Sequence, residues 1–267
     1  MTVLLLTGCG VADAPEPAEP TPPPGVSASA GQPTAAPGGP TAGAAAPPTA
    51  DEVRSAGRAV DVAGRVVHVL GAVGLDGPDD GALTVGLPGP TTAAPSASPP
   101  AASGTPPAPV RIAGPPGSAG EVLMDGTAVL REASGAVVVA VVADGARLGE
   151  GADGLLEVTP AADGARVVVG GAGVVSATWA DRGDEGGLSL VVVPRAWVRT
   201  AGAAGVEAVW SALGSLPDLG SDATAPGMRD QLECHALGAP DKESWNLEPW
   251  RPDVGLLATL TARCNPT

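Results

Sequence analysis

Phenylalanine and tyrosine are absent from this 267-residue chain. Isoleucine occurs once (Ile112), lysine once (Lys242) and asparagine twice (Asn246, Asn265). The missing residues have AT-rich codons, and the abundant Ala, Gly, Pro, Val and Arg have GC-rich ones, so the bias points first to a high-GC bacterial genome. Basic stretches are also lacking. The net charge is −15; residues 51–170 hold 14 acids against 7 bases, and residues 171–267 hold 12 against 7. Nucleic acid recognition needs Lys and Arg to neutralise phosphates, so no nucleic-acid partner is expected. A peripheral grip on anionic lipid headgroups is disfavoured for the same reason. No Gly-x-Ser-x-Gly, His-Glu-x-x-His or P-loop pattern is present, and each would have argued for an enzyme. The bland role of the acidity is solubility.

Proline and glycine are plentiful instead, at 30 and 39 residues. Two stretches concentrate the proline: eleven fall in residues 10–50 and ten in residues 86–118. Such segments bury too little apolar surface to offset their ordering entropy. They are expected to be a disordered spacer and a disordered linker or long loop. Ahead of the spacer an apolar run ends in Leu6-Thr7-Gly8-Cys9. That run resembles the lipobox of bacterial lipoproteins, which implies lipidation at Cys9 and an extracytoplasmic, membrane-anchored chain. The run is too short to span a bilayer, which takes roughly 20 apolar residues. No Lys or Arg precedes Leu4, whereas a signal peptide opens with one, so its start is expected upstream.

Residues 51–85 read as a short helical or mixed segment. Val53, Ala56, Val60, Ala63, Val67 and Leu70 form a helical stripe with Asp51 as its cap. The Val-rich run from Val60 to Leu70 also fits a strand; helix is the preferred reading, with His68 exposed. Residues 120–170 alternate short Val-rich runs with Asp-Gly turns at Asp125, Asp144, Asp153 and Asp163, the pattern of a β-meander. Without aromatics its core is expected to be thin and to lean on a neighbour.

The five Trp, His235 and the two remaining Cys all fall in residues 171–267. Val174–Ala180 and Leu188–Pro194 read as strands, residues 202–213 and 226–236 as helices, and Leu256–Ala262 as a last strand. The expected class is therefore α+β, with a C-terminal ββααβ domain. Cys234 and Cys264 are expected to form a disulfide in an oxidising compartment, worth about 3–4 kcal/mol by loop entropy. A catalytic Cys234–His235 pair is disfavoured, because neighbours on a helix diverge by about 100°. The Cys and His lack the clustered spacing of a zinc site, and no cofactor is expected.

Gly227-Met228-Arg229-Asp230-Gln231-Leu232-Glu233-Cys234-His235, Lys242, Trp245-Asn246-Leu247-Glu248-Pro249-Trp250-Arg251-Pro252 and Cys264-Asn265-Pro266 together resemble the DUF2599 family of secreted and surface proteins. The resemblance covers roughly residues 171–267. It implies a fold family and an extracytoplasmic setting, and it carries no activity. The candidate polar residues are Asp230, His235, Lys242, Asn246, Glu248, Arg251 and Asn265. His235 and Glu248 suit an acid–base pair, and Arg251 suits a carboxylate or phosphate clamp. Equally, His235 suits a hydrogen-bonded core position, Glu248 and Arg251 suit a mutual ion pair, and Trp245 and Trp250 suit core packing. Two functional readings follow. One is a non-enzymatic module that binds an envelope glycan or protein, with Trp245, Asn246, Arg251, Asp230 and Lys242 as candidate contacts. The other is a small hydrolase or toxin-like enzyme using His235 and Glu248.

Overall fold

In the computed structural model, the described residues are 46–89, 108–183 and 186–267. Cys9, the proline-rich residues 10–45 and residues 90–107 lie outside them. A short helix, α1 (Ala50–Ala56), opens the described chain. Its cap is Thr49 rather than Asp51: the Thr49 hydroxyl accepts from the Glu52 N–H, and the Glu52 carboxylate accepts from the Thr49 N–H at 2.7 Å, a reciprocal capping box. The stripe read as continuing to residue 70 breaks at Gly57. The chain turns there into the hairpin β1 (Arg58–Val62) and β2 (Arg65–Leu70). The β-branched Val-rich run therefore prevailed over the helical spacing. His68 is half-buried on β2, with a buried Nδ1, not exposed.

Among the described residues nine more strands follow before residue 171: β3 (Gly74–Asp79), β4 (Ala82–Gly86), β5 (Val110–Ala113), β6 (Ala119–Val122), β7 (Ala128–Arg131), β8 (Val137–Asp144), β9 (Ala146–Glu150), β10 (Leu156–Pro160) and β11 (Arg166–Gly170). They do not form a meander. One sheet has the order β1-β2-β5-β10-β9 and a second the order β3-β4-β11-β8-β7-β6, all antiparallel. The Asp125-Gly126 turn joins the paired strands β6 and β7, and the turn at Asp153-Gly154 joins β9 and β10. Asp144-Gly145 and Asp163-Gly164 instead carry the chain from one sheet to the other. Gly126, Gly145, Gly154 and Gly164 all take positive φ, which glycine tolerates without steric cost. An Asp-Gly turn fixes a reversal but not which strand receives the chain.

The two sheets share one aliphatic core. Val67, Val69, Val110, Ile112, Leu156 and Val158 face Leu83, Val85, Leu130, Val139, Val141, Val167 and Val169. These residues recur at every second position, as a half-buried strand requires. The strands interleave, so the segments read as a mixed region, a linker and a meander are parts of one sandwich. Strand β5 lies within the stretch expected to be linker, because Val110 and Ile112 pack in that core.

The C-terminal domain contains β12 (Val174–Asp181), β13 (Leu188–Pro194), α2 (Gly202–Ser215), α3 (Met228–Gly238), β14 (Trp245–Leu247) and α4 (Leu256–Thr261). The class is α+β, but the last strand is β14 and the segment read as a final strand is the helix α4. Trp245–Leu247 pairs with β13 and occupies the third position in the sheet. On α4, Thr261 returns its hydroxyl to the Leu257 carbonyl at 2.9 Å, a bond that a helical turn makes available. Cys234 and Cys264 are bonded, and the link runs from α3 to the turn after α4. Leu190, Val192, Val206, Val209, Leu213, Met228, Leu232, Trp245 and Leu247 form the domain core. No helix among the described residues is long and apolar enough to cross a membrane.

Helix α2 joins the two parts. Val206, Val209 and Leu213 point into the domain core, while Ala204 and Ala208 pack on Val129, Val137 and Ala140 of the sandwich. The N-terminus of α2 has no cap from its own sequence. Asp125 supplies it from the β6–β7 turn: its carboxylate accepts the Ala203 N–H at 2.7 Å, and the Thr127 hydroxyl accepts the Ala204 N–H at 3.1 Å. Burial pushes the Asp125 carboxyl up, but hydrogen bonds from Thr127 and Ala203 outweigh it and hold the group below its usual range. A chain of ions, Glu121–Arg131–Glu207–Arg229–Glu233, runs beside this contact.

Losing a helix cap costs about 1 kcal/mol. Asp125→Ala is therefore expected to lower the urea unfolding free energy by about that amount. Reducing Cys234–Cys264, whose partners are 30 residues apart, is expected to cost about 3–4 kcal/mol, read by the same denaturation under dithiothreitol.

Candidate functional site

Helix α3 lies against β14, and its buried face carries Met228, Gln231, Leu232, Cys234 and His235. Gln231 was not among the residues singled out from the sequence, yet it organises the site. Its side-chain amide donates to the Glu248 carbonyl at 2.9 Å and accepts the Glu248 N–H at 2.8 Å. One amide side chain thus satisfies both backbone groups of a buried residue just past the end of β14, which would otherwise carry the cost of desolvation unpaired. The available signal was a glutamine on an otherwise apolar helix face.

His235 donates from Nε2 to the Asn246 carbonyl at 3.0 Å. A carbonyl only accepts, so the ring carries its proton on Nε2, and buried Nδ1 has no partner among the described residues. Burial pushes the imidazole pKa down; the Asn246 carbonyl opposes this, Lys242 adds to it, and Glu248 opposes it. The ring is therefore held neutral.

Glu248 is buried, and its carboxylate is taken by Arg251 three residues on. The Arg251 guanidinium also donates to the Pro266 carbonyl at 3.2 Å and lies 4.4 Å from the centroid of the Trp250 ring. His235 and Glu248 thus have separate internal partners. Trp245 is wholly buried and donates its indole N–H to the Ala239 carbonyl. Asn246 accepts at Oδ1 from Arg182 at 2.8 Å. Lys242 is exposed, and so is Asn265, which donates to the Arg263 carbonyl. Asp230 is half-buried on α3; burial raises its pKa, with Asp253 and Glu233 adding to the rise and Arg229 opposing it.

Arg199 was also missed from the sequence. Its guanidinium donates to the carbonyls of Pro240, Lys242 and Glu243 and lies 6.0 Å from the Trp245 ring centroid. One planar cation with five donors therefore gathers the loop between α3 and β14. Trp250 stands apart from the other motif residues. Its side chain rests on the β12–β13 loop, where a Cβ added at Gly187 would come within 2.6 Å of the ring, so only glycine fits there. The residue is 38% exposed. Among the described residues no three His, Cys, Asp or Glu side chains gather as metal ligands.

The buried partnerships have measurable consequences. His235→Ala and Glu248→Ala are each expected to lose more than about 2 kcal/mol of unfolding free energy, since each strands a buried partner. A neutral His235 also makes stability depend on pH. Its contribution is intact above the ordinary imidazole value of 6.5. It falls away as pH drops from there towards the lowered folded-state value, at up to about 1.4 kcal/mol per pH unit. Denaturation between pH 7 and pH 5 should show this slope in the parent and a flatter one in His235→Gln.

Comparison with known proteins bears on the C-terminal domain. Uncharacterized proteins of Mycobacterium tuberculosis (strain H37Rv) and Mycobacterium bovis are each 41% identical to this chain over 86 residues. Each match covers 29% of this chain and 56% of the relative, so the chain spans little more than half the length of these curated relatives. No solved structure matches. Residues 174–267, the whole of the domain that holds the Gln231, His235 and Glu248 contacts, match the family model described as "Protein of unknown function (DUF2599)".

Proposed function

We propose that the protein is an extracytoplasmic binding module, tethered to the membrane by a lipid at Cys9, that engages an envelope glycan or protein through the face around Trp250. The observation that carries this reading is the contrast between Trp250 and its motif neighbours. Gln231, His235 and Trp245 spend their polar groups on the backbone of Glu248, Asn246 and Ala239, and Glu248 spends its carboxylate on Arg251. Trp250 is partly open to solvent and is braced by a guanidinium that Glu248 holds in place. An exposed aromatic with a fixed orientation gives contact area at low entropic cost. Arg182, just past the end of β12, and Asn246 on β14 are bonded to each other and add polar contacts at the edge of that face. The small-hydrolase reading requires His235 and Glu248 to meet at an open cleft, and their separate internal partners count against it.

Two measurements test this reading. In a pull-down of isolated envelope fractions, the full chain is expected to be retained and Trp250→Ala to lose about tenfold or more in affinity, as a hot-spot aromatic does, with its unfolding curve little changed. Equal retention of parent and variant removes Trp250 from the binding face. Metabolic labelling with a fatty-acid analogue is expected to mark the parent and not Cys9→Ser.

A further inference from the structure

The sheet of the C-terminal domain has the order β12-β13-β14, so β12 and β14 are its edges. Side chains close the β14 edge. Its outward backbone groups are the Asn246 carbonyl, taken by His235, and the Glu248 N–H and carbonyl, taken by Gln231. Bonding alternates along an antiparallel ladder, so these groups fix the pattern across the sheet. Trp245 and Leu247 bond to β13, Val191 turns towards Thr178, and the outward groups of β12 are those of Ala177, Trp179 and Asp181. Among the described residues none of these N–H or carbonyl groups has a backbone partner.

Native sheets guard such edges with charge, proline or short length. In the sandwich, Arg58 and Asp61 on β1, Pro78 on β3, Glu121 on β6 and Arg147 on β9 do so. Strand β12 is eight residues long, has no proline and carries no charge before its last residue, Asp181. A row of unpaired N–H and carbonyl groups takes one kind of occupant, another extended backbone. The chain's own two proline-rich stretches lack the donors for that role.

We propose that the occupant is β12 of a second copy, paired antiparallel about a two-fold axis normal to the sheet. Such an isologous pair closes on itself. One register bonds all three outward residues. It sets Trp179 opposite Trp179 of the second copy, and Ala177 of each copy opposite Asp181 of the other. No like charges face each other, because Arg182 then meets Ser176. The two indoles meet at the axis, on the core side of the joined sheet. Trp179 is only half-buried against its own domain core, with its N–H on the Leu219 carbonyl. A cross-strand aromatic pair covers more of it.

The test is sedimentation equilibrium of the oxidised, unlipidated full chain. Three bonded pairs and one aromatic pair make a small interface, so a dimer is expected at micromolar to millimolar concentration. Added salt should tighten it, because two acidic copies repel each other. Ala177→Pro deletes an outward N–H that β13 does not use, and is expected to weaken the dimer about tenfold or more. Ser176 is exposed, so its variants carry little risk to folding. Ser176→Glu, opposite Arg182, is expected to tighten the dimer about threefold, and Ser176→Arg to loosen it by a similar factor. A parent that stays monomeric to millimolar concentration leaves the edge to a strand of another protein and overturns the proposal. So does an Ala177→Pro variant that dimerises as tightly as the parent, or a pair of Ser176 variants whose opposite charges act alike.

Discussion

Burial of α2 on two sides is the constraint on which the rest of the structure depends. A helix of 14 residues with no charged residue in its first or last turn has little to hold it together in isolation. Here one face completes the C-terminal core through Val206, Val209 and Leu213, and the small residues Ala204 and Ala208 let the other lie close against β7 and β8. The cap on its first turn belongs to the sandwich. The sandwich therefore finishes a helix of the neighbouring domain, and that helix covers the outer face of a sandwich strand. Strand β8 shows the reverse of the same contact. Its run of consecutive buried residues, Val137–Val141, is what a strand needs when both faces are covered.

The absence of Phe and Tyr shapes how the cores are filled. In the sandwich, Val, Leu, Ile and Ala supply all the packing. Stiff β-branched side chains suit pleated surfaces, so many short strands in two facing sheets make a thick core from small residues. The tryptophans are kept for the C-terminal domain, where indole N–H groups bind to carbonyls: Trp179 to Leu219, Trp197 to Ala172 and Trp245 to Ala239. Each fixes a turn or loop end to the ring that packs beside it.

The conspicuous motif of the C-terminal domain is largely a folding device. Gln231, His235 and Arg199 close backbone valences of the chain between α3 and Glu248, and the disulfide ties the same helix to the chain's last turn. A polar motif of this kind invites a catalytic reading, because groups that serve catalysis also serve hydrogen bonding in a core. Partner and burial separate the two uses. His235 bonds a carbonyl in the interior, while Trp250, from the same stretch of sequence, faces solvent.

Several features of this protein were determined by local sequence alone. The α+β class, helices α2 and α3, strands β12 and β13 and the four Asp-Gly reversals follow from side-chain periodicity and from the backbone freedom of glycine. The Cys234–Cys264 pairing follows from having only two cysteines in the C-terminal domain. Tertiary structure decided the rest, because it depends on neighbours far along the chain. The run from Val60 to Leu70 became a hairpin once β5 lay beside β2, and residues 256–261 became helix once Trp245–Leu247 had taken the third place in the sheet. Two of the Asp-Gly turns became crossings between sheets rather than hairpins. Asp125 became the cap of a helix 78 residues away, a role with no local signature, because capping depends on a carboxylate's position in space and not on its place in the chain.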